Sequence, residues 1–259
     1  MRTATFVFVS CIKASNCLSI ITPIRRLLTT CMSTDQFNDR SELENGRWEA
    51  MWSKGLNPGD RFDCYTSSPV LINRVKEGSI PIGRALVPGC GRGYDCTTLA
   101  ASDRFVVGAE ISPTALEAAH SRLAAISDSE CSAKHMIQLV STSFFDLPTS
   151  SPDQLFDFVY DYTFFCALHP SVREAWAQKM SSLIKKDGEL LTLIFPIKKE
   201  PDDLGPPFHV TMDAYANVLL RNGFECSMLE LLPPELCHPG RDGLNPPYWG
   251  SGVGRWKRL

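Results

Sequence analysis

The chain has 259 residues, of which 44% are hydrophobic and 21% charged, and its formal net charge is -3. Those proportions fit a soluble globular protein and exclude a disordered one, and the length admits one large α/β domain with a substantial core. There is no basic excess or basic run, which argues against nucleic acid or an anionic membrane as partner. No stretch reaches the roughly 18 apolar residues that a membrane-crossing helix needs.

Residues 1–34 carry Arg2, Lys13, Arg25 and Arg26, many Ser and Thr, and no acid. That composition predicts an organelle transit peptide. A secretory signal ranks lower, because the apolar run from Thr5 to Val9 is short and Lys13 follows it. A start at Met32 is the third reading. Residues 1–45 are therefore taken as an N-terminal extension, and 46–259 as one domain. An intracellular chain is expected, cytoplasmic or, with a real transit peptide, organellar.

Trp48 and Trp52 stand at i and i+4, on one face of a short helix over 46–54. The cluster Asn57-Pro58-Gly59-Asp60 ends it in a turn. Pro69 to Val75 reads as a helix with Pro in its first turn. From residue 84 strands and helices alternate. Strands are expected at Arg84–Pro88, Phe105–Ile111, Met136–Thr142, Phe156–Tyr162, Glu189–Phe195, Glu225–Leu232 and Val253–Leu259. Helices are expected around Gly93–Ala101, at Pro113–Ile126 with Ser112 as N-cap, at Pro170–Ile184 with Asp187-Gly188 as its stop, and at Met212–Arg221. Near-continuous apolar strands between helices predict a mostly parallel seven-stranded sheet with helices on both faces. The Pro- and Gly-rich stretches 200–207 and 233–252 are long for connections and are expected to cover the site.

The ten cysteines form no Cys-x-x-Cys pair, and no His pair has helical metal-ligand spacing. Cys237 and His238 are adjacent, poor geometry for one shared ion. The cysteines read as reduced, buried small hydrophobes, and no metal is expected.

In open parallel sheets ligands bind at the carboxyl ends of strands. The first such end is Val87-Pro88-Gly89-Cys90-Gly91-Arg92-Gly93. Its glycines allow a sharp turn and close approach of backbone to ligand, and the amides of the following helix favour a carboxylate. A dinucleotide fingerprint would place its third glycine at position 94, which is Tyr94. The spacing Gly-x-Gly-x-Gly points instead to S-adenosylmethionine. Glu110 ends the second strand 17 residues after Gly93, where an acid can bond both ribose hydroxyls.

The stretches RWEAMW, GRALVPGCGRGYD, RFVVGAEIS, FDFVYDYTFFCALHP, DGELLTLIFPI and GPPF resemble the thiopurine S-methyltransferase-like family. Within it they are most similar to the plant and algal thiol, thiocyanate and halide methyltransferases, over roughly 46–259. The resemblance implies a Rossmann-like class I methyltransferase fold and S-adenosylmethionine as cofactor. It further implies that Trp48 and Trp52 close over the cofactor, that Gly89, Gly91 and Gly93 form its loop, and that Glu110 meets the ribose. Ser143-Phe144 matches an Asp-Phe pair beside the adenine, and Tyr162 a tyrosine near the methionine portion. Two departures stand out: Ser143 replaces the acid, and Gly59 stands near a further tryptophan of the plant enzymes. Asp161 has two readings, a ligand of the cofactor's ammonium group or a cap for the next helix.

The reaction expected is methyl transfer to a small soft nucleophile: a thiol or hydrosulfide, thiocyanate or a halide. Larger aromatic thiols are the neighbouring alternative, and a non-catalytic cofactor-binding module the different-class one. A soft anion needs no proton removed, so no catalytic base is expected. Phe164, Phe165, His169, Arg173 and Phe208 are the candidates for the acceptor pocket. Cys90 and Cys166 read as packing. The partner is a small molecule, and a monomer is expected.

Overall fold

The computed structural model describes residues 46–201, 204–244 and 248–259. The extension called at 1–45 lies outside the described residues. Residues 46–52 are helical (α1), followed at Asn57–Asp60 by the expected turn, in which the Asp60 amide donates to the Asn57 carbonyl. Helix α2 (Pro69–Lys76) begins where the Ser68 hydroxyl accepts from the Leu71 amide and Pro69 takes the first turn. Its missing N–H costs nothing there. Strand β1 (Gly83–Pro88) leads into α3 (Tyr94–Leu99), and β2 (Arg104–Glu110) into α4 (Pro113–Ala125), capped by Ser112 as expected. The chain continues through β3 (Ile137–Ser141), β4 (Phe156–Tyr162), α5 (Arg173–Leu183), β5 (Ile184–Ile194), α6 (Met212–Arg221), β6 (Phe224–Leu231) and β7 (Gly252–Arg258).

These strands form one seven-stranded sheet in the order β3-β2-β1-β4-β5-β7-β6. Strands β1 to β5 are parallel, and β7 runs antiparallel between β5 and β6. Alternate residues of β1 face opposite layers. Ala85 and Val87 pack with Leu71, Leu99 and Tyr160 on one side. Leu86 packs with Trp176, Tyr215 and Trp256 on the other. Both faces are covered, which is why the strands read as apolar runs.

One expectation fails. Asp187-Gly188 does not stop a helix. Pro170–Val172 is a separate 3₁₀ turn, α5 spans Arg173–Leu183, and β5 begins directly at Ile184. The Asp187-Gly188 pair sits inside β5, at a register shift against β4 where Phe156 faces Ile184 and Phe158 faces Glu189. Asp187 has φ +65°. A residue of that geometry followed by Gly signals either a helix end or a bulge, and sequence does not separate the two.

The chain leaves β1 outward to β2 and β3, then returns to β4 on β1's other side. The order reverses between β1 and β4, so a crevice opens at their carboxyl ends.

Candidate active site

The crevice holds a cleft walled by Trp48, Trp52, Gly89, Gly91, Glu110 and Tyr162. Gly89 and Gly91 have φ +58° and +52°, in the left-handed region that glycine enters without penalty. A Cβ on Gly89 would lie 2.7 Å from the Phe164 ring. Gly93, at φ +72°, turns the chain into α3 and faces Ala119 and Leu139 instead of the cleft. Glu110 is 6% exposed. Its Oε2 accepts from the Gly91 amide at 2.9 Å, and its Oε1 from the Ile111 and Ser112 amides at 2.8 and 2.9 Å. The acid therefore also braces the glycine loop. Burial pushes its pKa up, opposed by those three amides.

Helix α1 lies against the cleft. The Glu49 carboxylate holds it there, accepting from the Ser112 and Thr114 hydroxyls at 2.6 Å each. Those bonds lower the Glu49 pKa. Trp48 and Trp52 both meet the Phe62 ring edge-on, with centroids 5.3 and 5.8 Å away. Arg92 covers the Trp52 ring, pairs with Asp63 at 2.7 Å and bonds the Leu56 carbonyl. Gly59 adopts φ +90° and is exposed. Phe62, missed in the sequence, is the third aromatic of this wall.

Other expected residues are placed away from the cleft. Ser143 accepts from the Phe145 amide and caps a 3₁₀ turn. Phe144 is buried behind Phe164, with centroids 5.2 Å apart. Asp161 is fully buried; its carboxylate accepts from the Phe165 amide at 3.2 Å and from Trp176 Nε1 at 3.0 Å. Those bonds match the capping reading of Asp161. Burial pushes Asp161 up to about 7.

A second cavity of about 400 Å³ adjoins the cleft, the two sharing Trp48, Phe62, Thr163 and Ala167. Thr163 stands at φ +60° directly after β4, a strained position of the kind that clusters at functional sites. The remaining wall comes largely from the two long loops, through Pro206, Pro207, Arg241 and Trp249, with Met51 and Phe195. Of the five acceptor-pocket candidates, only Phe164 lines either space. Phe165 is core, its centroid 4.5 Å from Trp176 and 4.0 Å from Tyr215. Phe208 is buried against His169, which caps the Pro170 turn, and Arg173 lies over the Phe165 ring with Nη2 donating to the His209 carbonyl. These four sit one layer behind the wall, because the segment after β4 coils inward as two short turns.

Between the two spaces runs a polar chain. Arg241 Nη1 donates to the Tyr162 hydroxyl at 2.9 Å. That hydroxyl stands 2.7 Å from His238 Nδ1, and His238 Nε2 is 3.1 Å from the Thr66 carbonyl. Burial, then the Arg241 charge, lowers the His238 pKa to about 4, so the ring is neutral at physiological pH. Cys166 lines the second cavity with its thiol pushed up to about 12 by burial, which keeps it protonated. All seven described cysteines are free, and no metal-ligating cluster occurs among the described residues. No helix among those residues is long and apolar enough to cross a membrane.

Solved methyltransferases share this architecture. A 1,6-didemethyltoxoflavin-N1-methyltransferase of Burkholderia thailandensis, with bound S-adenosylhomocysteine, superposes with a TM-score of 0.61 at 13% identity, over 86% of this chain and 90% of that one. The fold is the Rossmann-like fold of class I methyltransferases. The family model described as thiopurine S-methyltransferase matches residues 43–236, and the chain belongs to that family. It is an S-adenosylmethionine-dependent methyltransferase. It is 41% identical to the probable thiol methyltransferase 2 of Arabidopsis thaliana, over 84% of this chain and 87% of that protein. It is 39% identical to thiocyanate methyltransferase 1 of Brassica oleracea over the same shares.

Proposed function

We propose that this chain methylates a small soft nucleophile (hydrosulfide or another thiolate, thiocyanate, or halide) held in the second cavity. The cofactor supplies an activated methyl carbon on a sulfonium. The nucleophile's electron pair forms the new bond to that carbon, and the carbon–sulfur bond breaks toward sulfur, giving S-adenosylhomocysteine.

The chain's residues fit the cofactor. Glu110 offers acceptors to ribose hydroxyls, Gly89 and Gly91 admit close approach, and Trp48, Trp52 and Tyr162 offer aromatic faces. Asp95 at the cleft wall has a buried Oδ1 without a hydrogen-bond partner, an acceptor suited to a cationic amino-acid tail. Gly93, Ser143 and Phe144 support that wall from behind.

The observation that carries the acceptor reading is the second cavity itself, aromatic- and proline-walled and joined to the cleft at Thr163. Such walls strip water from a soft anion and hold it in position. Its volume of about 400 Å³ also suits the heterocyclic thiols of the neighbouring reading. The names of the plant relatives favour the smaller nucleophiles.

The chain is taken to act as a monomer. The compartment follows the N-terminal composition: cytoplasmic, or organellar if residues 1–34 direct import. The test is to incubate purified protein with S-adenosylmethionine and iodide, thiocyanate, hydrosulfide or an aromatic thiol, and to measure methylated product. Turnover of the aromatic thiol alone would overturn the small-nucleophile reading.

A further inference from the structure

We infer that the Asp63–Arg92 ion pair latches the cofactor cleft, tying the segment over 59–66 to the glycine loop and thereby slowing cofactor release. This rests on the proposed placement of S-adenosylmethionine in that cleft. Both are positioning residues: they act through Trp52 and Phe62, the aromatic roof that they hold in place.

One side chain of the glycine loop gathers three parts of the roof. The Arg92 guanidinium lies over the Trp52 ring of α1, 5.2 Å from its centroid. Its Nη2 donates to the Leu56 carbonyl in the stretch after α1. Its Nε donates to Asp63 Oδ2 at 2.7 Å, in the segment beyond. That segment carries Phe62, which meets Trp48 and Trp52 edge-on, and Phe62, Asp63, Cys64 and Thr66 all line the cleft. The Arg92 and Asp63 side chains are 13% and 2% exposed, so solvent and salt screen the pair little. Its short, charge-assisted bond is of the strong kind.

Asp63 also sets the shape of the segment. Its Oδ1 accepts from the Gly59 and Tyr65 amides at 3.2 and 2.8 Å. Gly59, Arg61 and Tyr65 have φ +90°, +53° and +64°. Residues with side chains enter that region at a cost, and they stay there only where surrounding bonds impose it. One carboxylate oxygen thus folds the segment while the other fastens it to Arg92. Without Arg92, the desolvated carboxylate has lost its counter-ion, which favours opening to water. The other fastenings of the roof lead elsewhere. Glu49 ties α1 to the start of α4, and the Phe62 and Thr66 carbonyls meet Arg241 and His238. Arg92 fastens the roof to the loop that approaches the cofactor. A ligand enclosed by Trp48, Trp52 and Phe62 leaves when that roof lifts, so the strength of the pair enters the dissociation rate.

The test follows release of radiolabelled S-adenosylmethionine from the full chain, chased with excess S-adenosylhomocysteine. Asp63→Asn keeps an acceptor for the Gly59 and Tyr65 amides, and Arg92→Met keeps apolar cover on Trp52. Each should speed release about three- to tenfold, and the double variant no more than either single, because both remove the same pair. KM for S-adenosylmethionine should rise while kcat moves far less. Unchanged release rates overturn the latch, and so do single effects that multiply in the double variant. Slower release from Asp63→Asn with faster release from Arg92→Met also overturns it, by placing the guanidinium on the cofactor's carboxylate. Glu110→Ala separates the two readings. If it alone weakens cofactor binding, only the latch falls; if it too binds as wild type, the proposed cofactor placement falls as well. Should the variants fail to fold, the wild type still decides: hydrogen exchange at the Gly59 and Tyr65 amides should slow about tenfold or more when S-adenosylhomocysteine binds. Equal exchange with and without it refutes the claim.

Discussion

The Tyr162 and His238 rings stack with a 7° angle between planes and centroids 5.3 Å apart, while the tyrosine hydroxyl bonds the histidine's Nδ1 at 2.7 Å. Ninety degrees of ring rotation would lose either the stack or the bond, so the pair is held as a unit. It joins the end of β4 to the loop over 233–252.

This pair gives a pH dependence. The folded ring titrates at about 4, against 6.5 for a free one. As pH falls from about 6.5 toward 4, the unfolded chain takes up a proton that the folded chain refuses, so stability drops across that window and is restored above it. The loss is on the order of 2–3 kcal/mol. Urea midpoints at pH 7 and pH 4.5 should therefore diverge more for the wild type than for His238→Asn. Parallel pH profiles would show that His238 does not carry this coupling.

Glu110→Ala removes the acceptor proposed for the ribose and leaves the Gly91 and Ser112 amides unpaired. Cofactor affinity should fall by about 1.5–3 kcal/mol, and stability should fall with it. Calorimetry and urea unfolding read the two separately. An unchanged dissociation constant in a folded variant refutes the ribose role.

Gly89→Ala meets two obstacles, a left-handed φ and a ring 2.7 Å away. The backbone alone costs about 1–2 kcal/mol. The double variant Gly89→Ala with Phe164→Leu should recover the steric part and not the backbone part. Full recovery in thermal unfolding would show that φ is relaxed there.

Glu49 ties α1 to the start of α4. Glu49→Ala should weaken S-adenosylmethionine binding several-fold by freeing the two tryptophans, with the unfolding midpoint close to wild type. Its lowered pKa means the tie persists until pH drops below the usual carboxylate range. Tryptophan fluorescence that responds to cofactor identically in variant and wild type would count against it.

The chain order of strands and helices was legible wherever a strand is covered on both faces. Phe156–Tyr162 and Met212–Arg221 fall on the expected residues. The α5–β5 junction was not legible, because helix passes into strand at Ile184 with no turn residue between them, and Asp187-Gly188 imitates a stop. At the site, the loop Gly89–Gly93 and Glu110 were visible because their chemistry is tied to strand ends. Phe165, His169, Arg173 and Phe208 line neither space, because sequence nearness to Tyr162 is not nearness to the cavity.

The sequence by itself determined the alternating α/β order, the glycine loop with its acid, and the family, since each depends on local pattern and spacing. Only the tertiary structure decided which side chains wall the second cavity. Tyr162 and Arg241 are 79 positions apart, and their meeting depends on how a long proline-rich loop folds back across the sheet. Such a loop has no periodicity to read, so its contacts exist only once the sheet's order is set.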